Sequence, residues 1–373
     1  QKKGMKDMNR YLPTDPNIYV LGRTKESVPM PLFWTGSGLE MSTDSGELWI
    51  DLETDYEINE EWLRIEVDGF CMQRMMLPKG RSRICAFRNW PRDTVRRVRI
   101  LKEIQPMRDD EKKMLLIHGL ECDGELYKIE KRYKIEIVGD SLSSGEGLGG
   151  APTLQHVGSS IFGLENHYAI RVADHFDADF RILSESGWGV YCSCLNDFIC
   201  VMPQYYEQIC GTVKGERNEK LGAFEKNDFE KWKPDVIIVN LGTNDGFALN
   251  QPAWVDPNDG SIHKQQKNSY GGVSEQSARC VENAAKSFLK KLRALNPESY
   301  ILWVYGMCEH VMAPYLEYAV EEYIKESKDQ RASFQILPMT VPFWTGCNNH
   351  PGRKDHELAA QVIIHKLETI LDL

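Results

Sequence analysis

The sequence predicts an α/β fold with a doubly wound parallel sheet, preceded by an antiparallel β-sandwich. Up to about residue 130, apolar residues alternate with polar ones, which is typical of strands with one buried face. Beyond that point come short runs rich in Ile, Val and Leu, typical of strands buried on both faces of a parallel sheet. Helical stretches separate those runs. We expect an N-terminal extension at 1–16 and domains at 17–130 and 131–373.

In the first domain, strands are predicted where the alternation is clearest. Such stretches occur at residues 47–53, 62–69, 95–104 and 114–127. Asp-Gly pairs at 68–69 and 123–124 are typical of tight turns between antiparallel strands. The short strands and their regular turns indicate a sandwich.

In the second domain, buried runs and amphipathic stretches alternate. Strands are predicted at residues 134–140, 179–186, 235–242, 299–306 and 333–339. Helices are predicted at residues 166–176, 195–209, 277–295, 314–328 and 356–373. The polar segment 248–275 is too long for a simple connection, so we expect a loop over the site there.

The net charge of −10 restricts the partners that this surface attracts. It disfavours nucleic acid and anionic membranes and suits a neutral substrate such as a sugar ester. No apolar run reaches the ~20 residues of a membrane span. Ten scattered cysteines without C-x-x-C spacing indicate buried free thiols. We expect a cytoplasmic protein, or a secreted one if a signal peptide preceded residue 1, and the sequence leaves the oligomeric state open.

Polar residues follow the predicted strands at several points of the second domain. These blocks are Gly139-Asp140-Ser141, Ser186-Gly187-Trp188-Gly189, Gly242-Thr243-Asn244-Asp245 and, late in the chain, Cys347-Asn348-Asn349-His350-Pro351. Open α/β sheets bind ligands at the carboxyl ends of their strands. We therefore expect the blocks to meet in one site.

The residue types in these blocks fit acyl transfer, which needs a nucleophile, a base and donors for an oxyanion. Ser141 can be the nucleophile and His350 the base. The backbone N–H groups of Ser141 and Gly187, with the side-chain amide of Asn244, can form the oxyanion hole. Gly189 is an alternative to Gly187. This chemistry requires no metal and no organic cofactor.

The four ordered blocks resemble those of SGNH (GDSL-type) hydrolases. Four further segments, FWTGSGLEM, WLRIEVDG, WVYGM and GCNNHP, make nearly the whole chain similar to carbohydrate esterase family 2. The resemblance implies a jelly-roll sandwich joined to a three-layer, flavodoxin-like SGNH domain. It also implies an esterase that removes O-acetyl groups from acetylated oligosaccharides of the xylan or mannan type.

The residues around the histidine depart from the general SGNH pattern. Those hydrolases usually carry Asp three residues before the His, where this chain has Cys347. Members of carbohydrate esterase family 2 can use a Ser–His dyad whose His is held by a backbone carbonyl. By that resemblance, the carbonyl of Asn348 would accept a hydrogen bond from Nδ1 of His350 and fix its tautomer.

The substrate-binding side chains are less clearly marked. The family often has Asp-Trp before its His, where this chain has two asparagines. We expect Trp188, Trp344 or Tyr191 to supply the missing aromatic contact with a sugar. Asp245 is a further candidate contact.

Several alternatives stay open from sequence alone. Ser141 could be only a helix cap, and Asn244 could be only a turn residue. His310 also follows a predicted strand and is the main rival of His350, and Asp197 could replace the missing acid. The rival functions are an esterase or lysophospholipase for lipid-like acyl chains, and a catalytically inactive carbohydrate-binding protein.

Overall fold

The computed structural model describes residues 8–155, 158–339 and 345–371. The chain forms two compact units. The first comprises the described residues of Gln1–Lys131 together with Gln208–Lys226. The second comprises those of Arg132–Glu207 and Asn227–Leu373. Each unit is thus assembled from separate stretches of chain.

The first unit is built on antiparallel sheets, as predicted for this half. Its strands are β1 (Asn9–Tyr11), β2 (Tyr19–Leu21), β3 (Met30–Pro31), β4 (Gly38–Thr43), β5 (Leu48–Asp55), β6 (Trp62–Val67), β7 (Phe70–Met76), β8 (Gly80–Phe87), β9 (Arg96–Lys102), β10 (Met114–Cys122) and β11 (Leu126–Tyr127). One sheet has the order β1-β10-β5-β8, with β3 also paired to β10. The other has the order β11-β4-β9-β6-β7, with β2 also paired to β4.

The alternating sequence explains how these sheets form a core. In β5, Leu48, Ile50 and Leu52 are fully buried, and the residues between them are partly exposed. They belong to one apolar cluster with Leu39 and Ile100 of the other sheet. Burying each such side chain contributes ~1.5–3 kcal/mol. A slip of one residue would expose them, so the alternation also fixes the register.

The second unit contains a parallel sheet, also as predicted. Its strands are β12 (Tyr133–Gly139), β13 (Ala178–Ser184), β14 (Val236–Asn240), β17 (Tyr300–Tyr305) and β18 (Ala332–Ile336), while β15 (Trp254–Val255) and β16 (Ile262–His263) form a small separate hairpin. The parallel strands lie in the order β13-β12-β14-β17-β18. Among the described residues that is the order 2-1-3-4-5, typical of flavodoxin-like sheets.

Helices alternate with the strands of the parallel sheet. They are α1 (Ser141–Ser144), α2 (Tyr168–His175), α3 (Met202–Tyr205), α4 (Glu216–Lys220, in the first unit), α5 (Thr243–Phe247), α6 (Glu275–Leu295), α7 (Ala313–Ser327) and α8 (Arg353–Ile370), with 3₁₀ turns at Ser159–Ile161 and Ala248–Asn250. The long helix α6 begins after Ser274, whose hydroxyl accepts from the N–H of Ser277. Helix α6 packs against α7, and α2 packs against α8.

One predicted helix, at residues 195–209, is wrong, because only α3 within it is helical. The Asp197 carboxylate accepts from the backbone N–H groups of Ile199 and Cys200, and the Asn196 amide donates to the carbonyl of Ala248. Such side chains offer the backbone partners other than those of a helix. The apolar periodicity of this stretch therefore does not decide its conformation.

The stretch Gln208–Lys226 packs into the first unit through buried polar contacts. The indole N–H of Trp34 donates to the carbonyl of Ile209 at 2.7 Å. Arg23 donates to the carbonyl of Gln208 at 3.2 Å, and Arg108 donates to that of Thr212 at 2.8 Å. Trp34 and Arg23 are almost fully buried. These contacts satisfy backbone groups that would otherwise be buried without partners.

Within residues 8–155, 158–339 and 345–371, no helix combines the length and the apolar character that crossing a bilayer demands.

Candidate active site

Ser141 lies at the carboxyl end of the first parallel strand. β12 ends at Gly139, and Asp140 caps α1 by accepting from the N–H of Leu142 at 3.1 Å. The cap is therefore Asp140, and Ser141 is the first residue of the helix. A Cβ on Gly139 would lie 2.0 Å from Oγ of Ser143, so only glycine fits this turn.

His350 faces Ser141 from the loop that precedes α8. Nε2 of His350 lies 3.1 Å from Oγ of Ser141, although 209 positions separate them in the chain. Nδ1 of the same ring lies 2.7 Å from the carbonyl oxygen of Asn348. Asn348 and Asn349 have φ of 50° and 54°, a conformation that asparagine tolerates better than most residues. The loop thereby turns a backbone carbonyl towards the imidazole.

The histidine loop is anchored at both ends. Asp355, in the first turn of α8, accepts from the N–H of Gly352 and from the hydroxyl of Thr345. The N–H of Cys347 donates to the carbonyl of Gly147 at 3.0 Å. These bonds tie the loop to the first turn of the helix it precedes and to the segment that follows α1.

Glu146 is a residue of this site that sequence reasoning missed. Its Oε1 lies 2.8 Å from Nδ2 of Asn348 and 3.5 Å from Nδ1 of His350. Its Oε2 accepts from the hydroxyl of Ser186 at 2.7 Å. The side chain is only 7% exposed. The one signal in the sequence is a glutamate between two glycines, five residues after Ser141.

The second block supplies glycines with different roles. Gly189 donates its N–H to the carbonyl of Cys200. Gly187 has φ of 82° and its carbonyl accepts from the N–H of Cys194. Within the described ranges, its own N–H donates to no protein acceptor. Gly187 is therefore the better placed of the two predicted alternatives to donate to an oxyanion.

Asn244 lies beside the same loop at the start of α5. Its Nδ2 lies 2.8 Å from the carbonyl of Trp188 and 3.2 Å from Oδ2 of Asp140. Both amide hydrogens therefore have acceptors in this structure. Donation to an oxyanion requires Asn244 to share or release one of them, and the longer contact with Asp140 is the weaker one.

Asp245, a candidate substrate contact, has backbone partners in the second block. It is fully buried, and its carboxylate accepts from the backbone N–H groups of Val190, Tyr191 and Cys192. A Cβ on Gly189 would lie 2.6 Å from Oδ2 of Asp245. Asp245 thus holds the second block in shape.

Two buried carboxyl groups flank the site. Burial raises the pKa of Asp140 to about 8, and burial raises that of Asp245 to about 6. The backbone N–H groups that donate to them oppose this rise. Near neutral pH, Asp140 therefore carries a proton in a large fraction of molecules.

The predicted aromatic contacts have different surroundings. Trp188 is 3% exposed and packs against Tyr205, so contact with a sugar would need its ring to leave that packing. Tyr191 is partly exposed, and its ring lies 5.0 Å from that of Phe198. Trp344 lies outside the described residues.

The rival residues have other partners. The ring of His310 lies 2.9 Å from the carbonyl of Leu337. Asp197 accepts from Ser193 and from backbone N–H groups of its own loop. Burial lowers the pKa of His167 to about 4 and that of His356 well below its ordinary value, so both are neutral core residues. In the described ranges, no group of three His, Cys, Asp or Glu side chains is arranged to hold a metal.

Comparison with known proteins shows similarity along the whole chain. No family model matches. The solved structure of an acetyl xylan esterase from the rumen bacterium Butyrivibrio proteoclasticus is 38% identical, with a TM-score of 0.94, and the match covers 98% of each chain. A curated acetylxylan esterase / glucomannan deacetylase from Cellvibrio japonicus is 20% identical over 96% of this chain and 90% of its own length.

A more distant solved structure shares the fold. A family two carbohydrate esterase from Clostridium thermocellum, in complex with cellohexaose, is 18% identical with a TM-score of 0.74, and the match covers 95% of this chain and 99% of the other. The 38% identity to the rumen enzyme extends over 98% of both chains, which establishes that the two proteins belong to one family. The chain belongs to carbohydrate esterase family 2 of the SGNH (GDSL-type) hydrolases and is a carbohydrate esterase.

Proposed function

We propose that this esterase removes O-acetyl groups from acetylated oligosaccharides of the xylan or mannan type, through a Ser–His dyad and an acetyl-enzyme. One observation carries the proposal: Ser141 Oγ lies 3.1 Å from Nε2 of a histidine whose Nδ1 lies 2.7 Å from a backbone carbonyl. This is hydrogen-bond reach for a nucleophile and its general base.

In the first half-reaction, Ser141 Oγ attacks the acetyl carbonyl carbon while His350 Nε2 takes its proton. The carbonyl of Asn348 accepts from Nδ1–H, which leaves Nε2 as the basic nitrogen. His350 then gives the proton to the sugar oxygen as the ester C–O bond breaks. The sugar leaves as an alcohol, and the acetyl group stays on Ser141.

In the second half-reaction, His350 takes a proton from water, which attacks the acetyl-enzyme. The resulting oxyanion collapses, Ser141 leaves with the proton from His350, and acetate is released. The backbone N–H groups of Ser141 and Gly187 and the amide of Asn244 stabilise the oxyanion in both halves. For Asn244, the proposal includes loosening of its contact with Asp140 as the oxyanion forms.

The substrate class is supported by the relatives and by charge. Two of the named relatives are acetyl xylan esterases, one also a glucomannan deacetylase. A net charge of −10 suits neutral sugar chains better than polyanions. For the whole chain, we propose a jelly-roll sandwich at 17–130, which β1 (Asn9–Tyr11) and Gln208–Lys226 also join, and a hydrolase domain formed by the rest of 131–373.

The experiment compares wild type with Ser141→Ala on acetylated xylan and mannan oligosaccharides, with products identified by mass and NMR. We expect acetate release by wild type and a loss of at least about 1,000-fold in the variant. Acetate release by Ser141→Ala at the wild-type rate contradicts the mechanism. A preference for octanoate over acetate among p-nitrophenyl esters contradicts the substrate class and favours a lipid-type esterase.

A further inference from the structure

A buried carboxylate lies beside the dyad where no acid is expected from the sequence. Oε1 of Glu146 is 3.5 Å from Nδ1 of His350, the nitrogen that faces away from Ser141. The position three residues before the histidine, where an orienting Asp usually lies, holds Cys347. Burial raises the pKa of that thiol, so it stays neutral. Glu146 therefore brings negative charge to the imidazole from a different segment of the chain.

The backbone around Glu146 is held close to both Ser141 and His350. Its backbone N–H donates to the carbonyl of Ser141 at 3.1 Å, which ties it to the nucleophile turn. The next residue, Gly147, has φ of 98°, and a Cβ there would lie 2.8 Å from Cβ of His350. The two loops can approach this closely only because residue 147 is glycine.

The carboxylate is also held by its own hydrogen bonds. Ser186 donates to Oε2, and the side-chain amide of Asn348 donates to Oε1. Asn348 thus contacts both groups, since its carbonyl accepts from the imidazole and its amide binds Glu146. This arrangement resists movement of the carboxylate towards solvent.

Other titratable groups lie on the elements around the imidazole. Burial raises the pKa of Asp140 to about 8 and lowers that of His356 well below its ordinary value, so both are largely neutral at pH 6. Asp355 is engaged by Thr345 and by the N–H of Gly352. Among the described residues, Glu146 is the carboxylate that lies within 4 Å of Nδ1 of His350.

We propose that Glu146 is a positioning residue that supplies the negative charge of the missing triad acid, acting on His350 through space and through Asn348. This inference rests on the proposed function of the dyad. The carbonyl of Asn348 fixes the tautomer, and Glu146 stabilises the imidazolium that forms during each proton transfer. Because the tautomer does not depend on Glu146, we expect loss of Glu146 to lower kcat by less than the ~10⁴-fold typical of losing a triad acid.

The test compares the shape-conserving Glu146→Gln with the charge-conserving Glu146→Asp. We expect Glu146→Gln to lower kcat about 10- to 100-fold and to move the acid midpoint of the kcat/KM–pH profile down by about one pH unit. KM for p-nitrophenyl acetate stays within about threefold. Glu146→Asp should keep the midpoint closer to that of wild type than Glu146→Gln does, although the aspartate side chain differs more in shape from glutamate. A purely structural role predicts that Glu146→Gln stays closer to wild type.

Two further variants complete the experiment. Glu230→Gln removes the same charge from a side chain that is 83% exposed, and its profile should match wild type. Glu146→Ala removes the charge without placing an amide beside Ser186 and Asn348. Its midpoint should move down as far as that of Glu146→Gln, which covers the case in which Glu146→Gln does not fold.

The inference is overturned if the acid midpoint of Glu146→Gln equals that of wild type. When Glu146→Gln cannot be obtained, a wild-type midpoint for Glu146→Ala overturns it. Ser141→Ala measured in the same assay separates this failure from that of the proposed function. If Ser141→Ala is inactive and the midpoints do not move, only the role of Glu146 is lost. If Ser141→Ala is active, the dyad itself is wrong.

Discussion

At the scale of single residues, the site combines a Ser–His dyad with an amide donor that already has hydrogen-bond acceptors within the protein. Asn244 is the sharpest case, because its amide contacts both the Trp188 carbonyl and Asp140. We expect Asn244→Ala to lower kcat about 100- to 1,000-fold with little change in KM, since the amide acts on the oxyanion. Steady-state kinetics with p-nitrophenyl acetate measure this. A kcat within threefold of wild type would show that Asn244 is only a turn residue.

Asp140 makes stability depend on pH. Burial raises its pKa from 3.8 to about 8 in the folded protein. The folded state then keeps a proton that the unfolded chain releases, so the free energy of unfolding falls as pH rises from about 4 to 8. Asp140→Asn retains an acceptor for the N–H of Leu142 and removes this dependence. Between pH 5 and 8, we expect the free energy of unfolding to fall by less in Asp140→Asn than in wild type, with a difference of ~1 kcal/mol or more.

Urea unfolding at several pH values measures that difference. Glu230→Gln, which changes an exposed carboxylate, should retain the wild-type slope. Equal slopes for Asp140→Asn and wild type would mean that the Asp140 carboxyl is not protonated by burial.

At the scale of elements, the close approach of the nucleophile turn and the histidine loop depends on Gly147. Its φ is 98°, and an added Cβ would lie 2.7 Å from the carbonyl oxygen of Pro351 and 2.8 Å from Cβ of His350. We expect Gly147→Ala to displace His350 and to lower kcat about 100-fold, because a shift of ~1 Å costs that much.

Gly260→Ala is the matched control for this prediction. Gly260 also has a positive φ, of 74°, but an added Cβ meets nothing within 4 Å. Gly260→Ala should therefore introduce a similar backbone strain of about 1 kcal/mol and leave kcat unchanged. If Gly147→Ala and Gly260→Ala had equal activity, the loop contact would not position the histidine.

The elements also show where sequence reasoning succeeds and fails. Ser141 and Asn244 could be located because each follows a strand whose buried run is visible in the sequence. Glu146 could not, because a glutamate between glycines has the pattern of an exposed turn. The predicted helix at 195–209 failed because Asn196 donates to the carbonyl of Ala248 in another loop and Asp197 accepts from backbone N–H groups of its own loop. Apolar periodicity does not encode either contact.

At the scale of the whole molecule, the antiparallel sheets and the parallel sheet could both be predicted. Apolar residues alternate with polar ones in the first half of the chain and form continuous runs in the second. The packing of Gln208–Lys226 into the first unit was not, since its contacts are long-range. The bond from Trp34 to Ile209 spans 175 positions. No local pattern records such a pairing.

That packing gives a stability prediction separate from catalysis. Trp34→Phe removes the indole N–H and leaves the buried carbonyl of Ile209 without its donor. We expect the free energy of unfolding to fall by ~1–3 kcal/mol. Kinetics with p-nitrophenyl acetate should stay at the wild-type value. Thermal unfolding at an unchanged Tm would argue against a structural role for this bond.

The most direct test of the central claim is to look for the acetyl-enzyme itself. Wild-type protein is mixed with an acetyl ester, quenched with acid within one turnover, digested and analysed by peptide mass spectrometry. We predict an acetyl group on Ser141, and none on that peptide in Ser141→Ala. Full turnover with no acetyl group on Ser141, together with an active Ser141→Ala variant, would contradict the account.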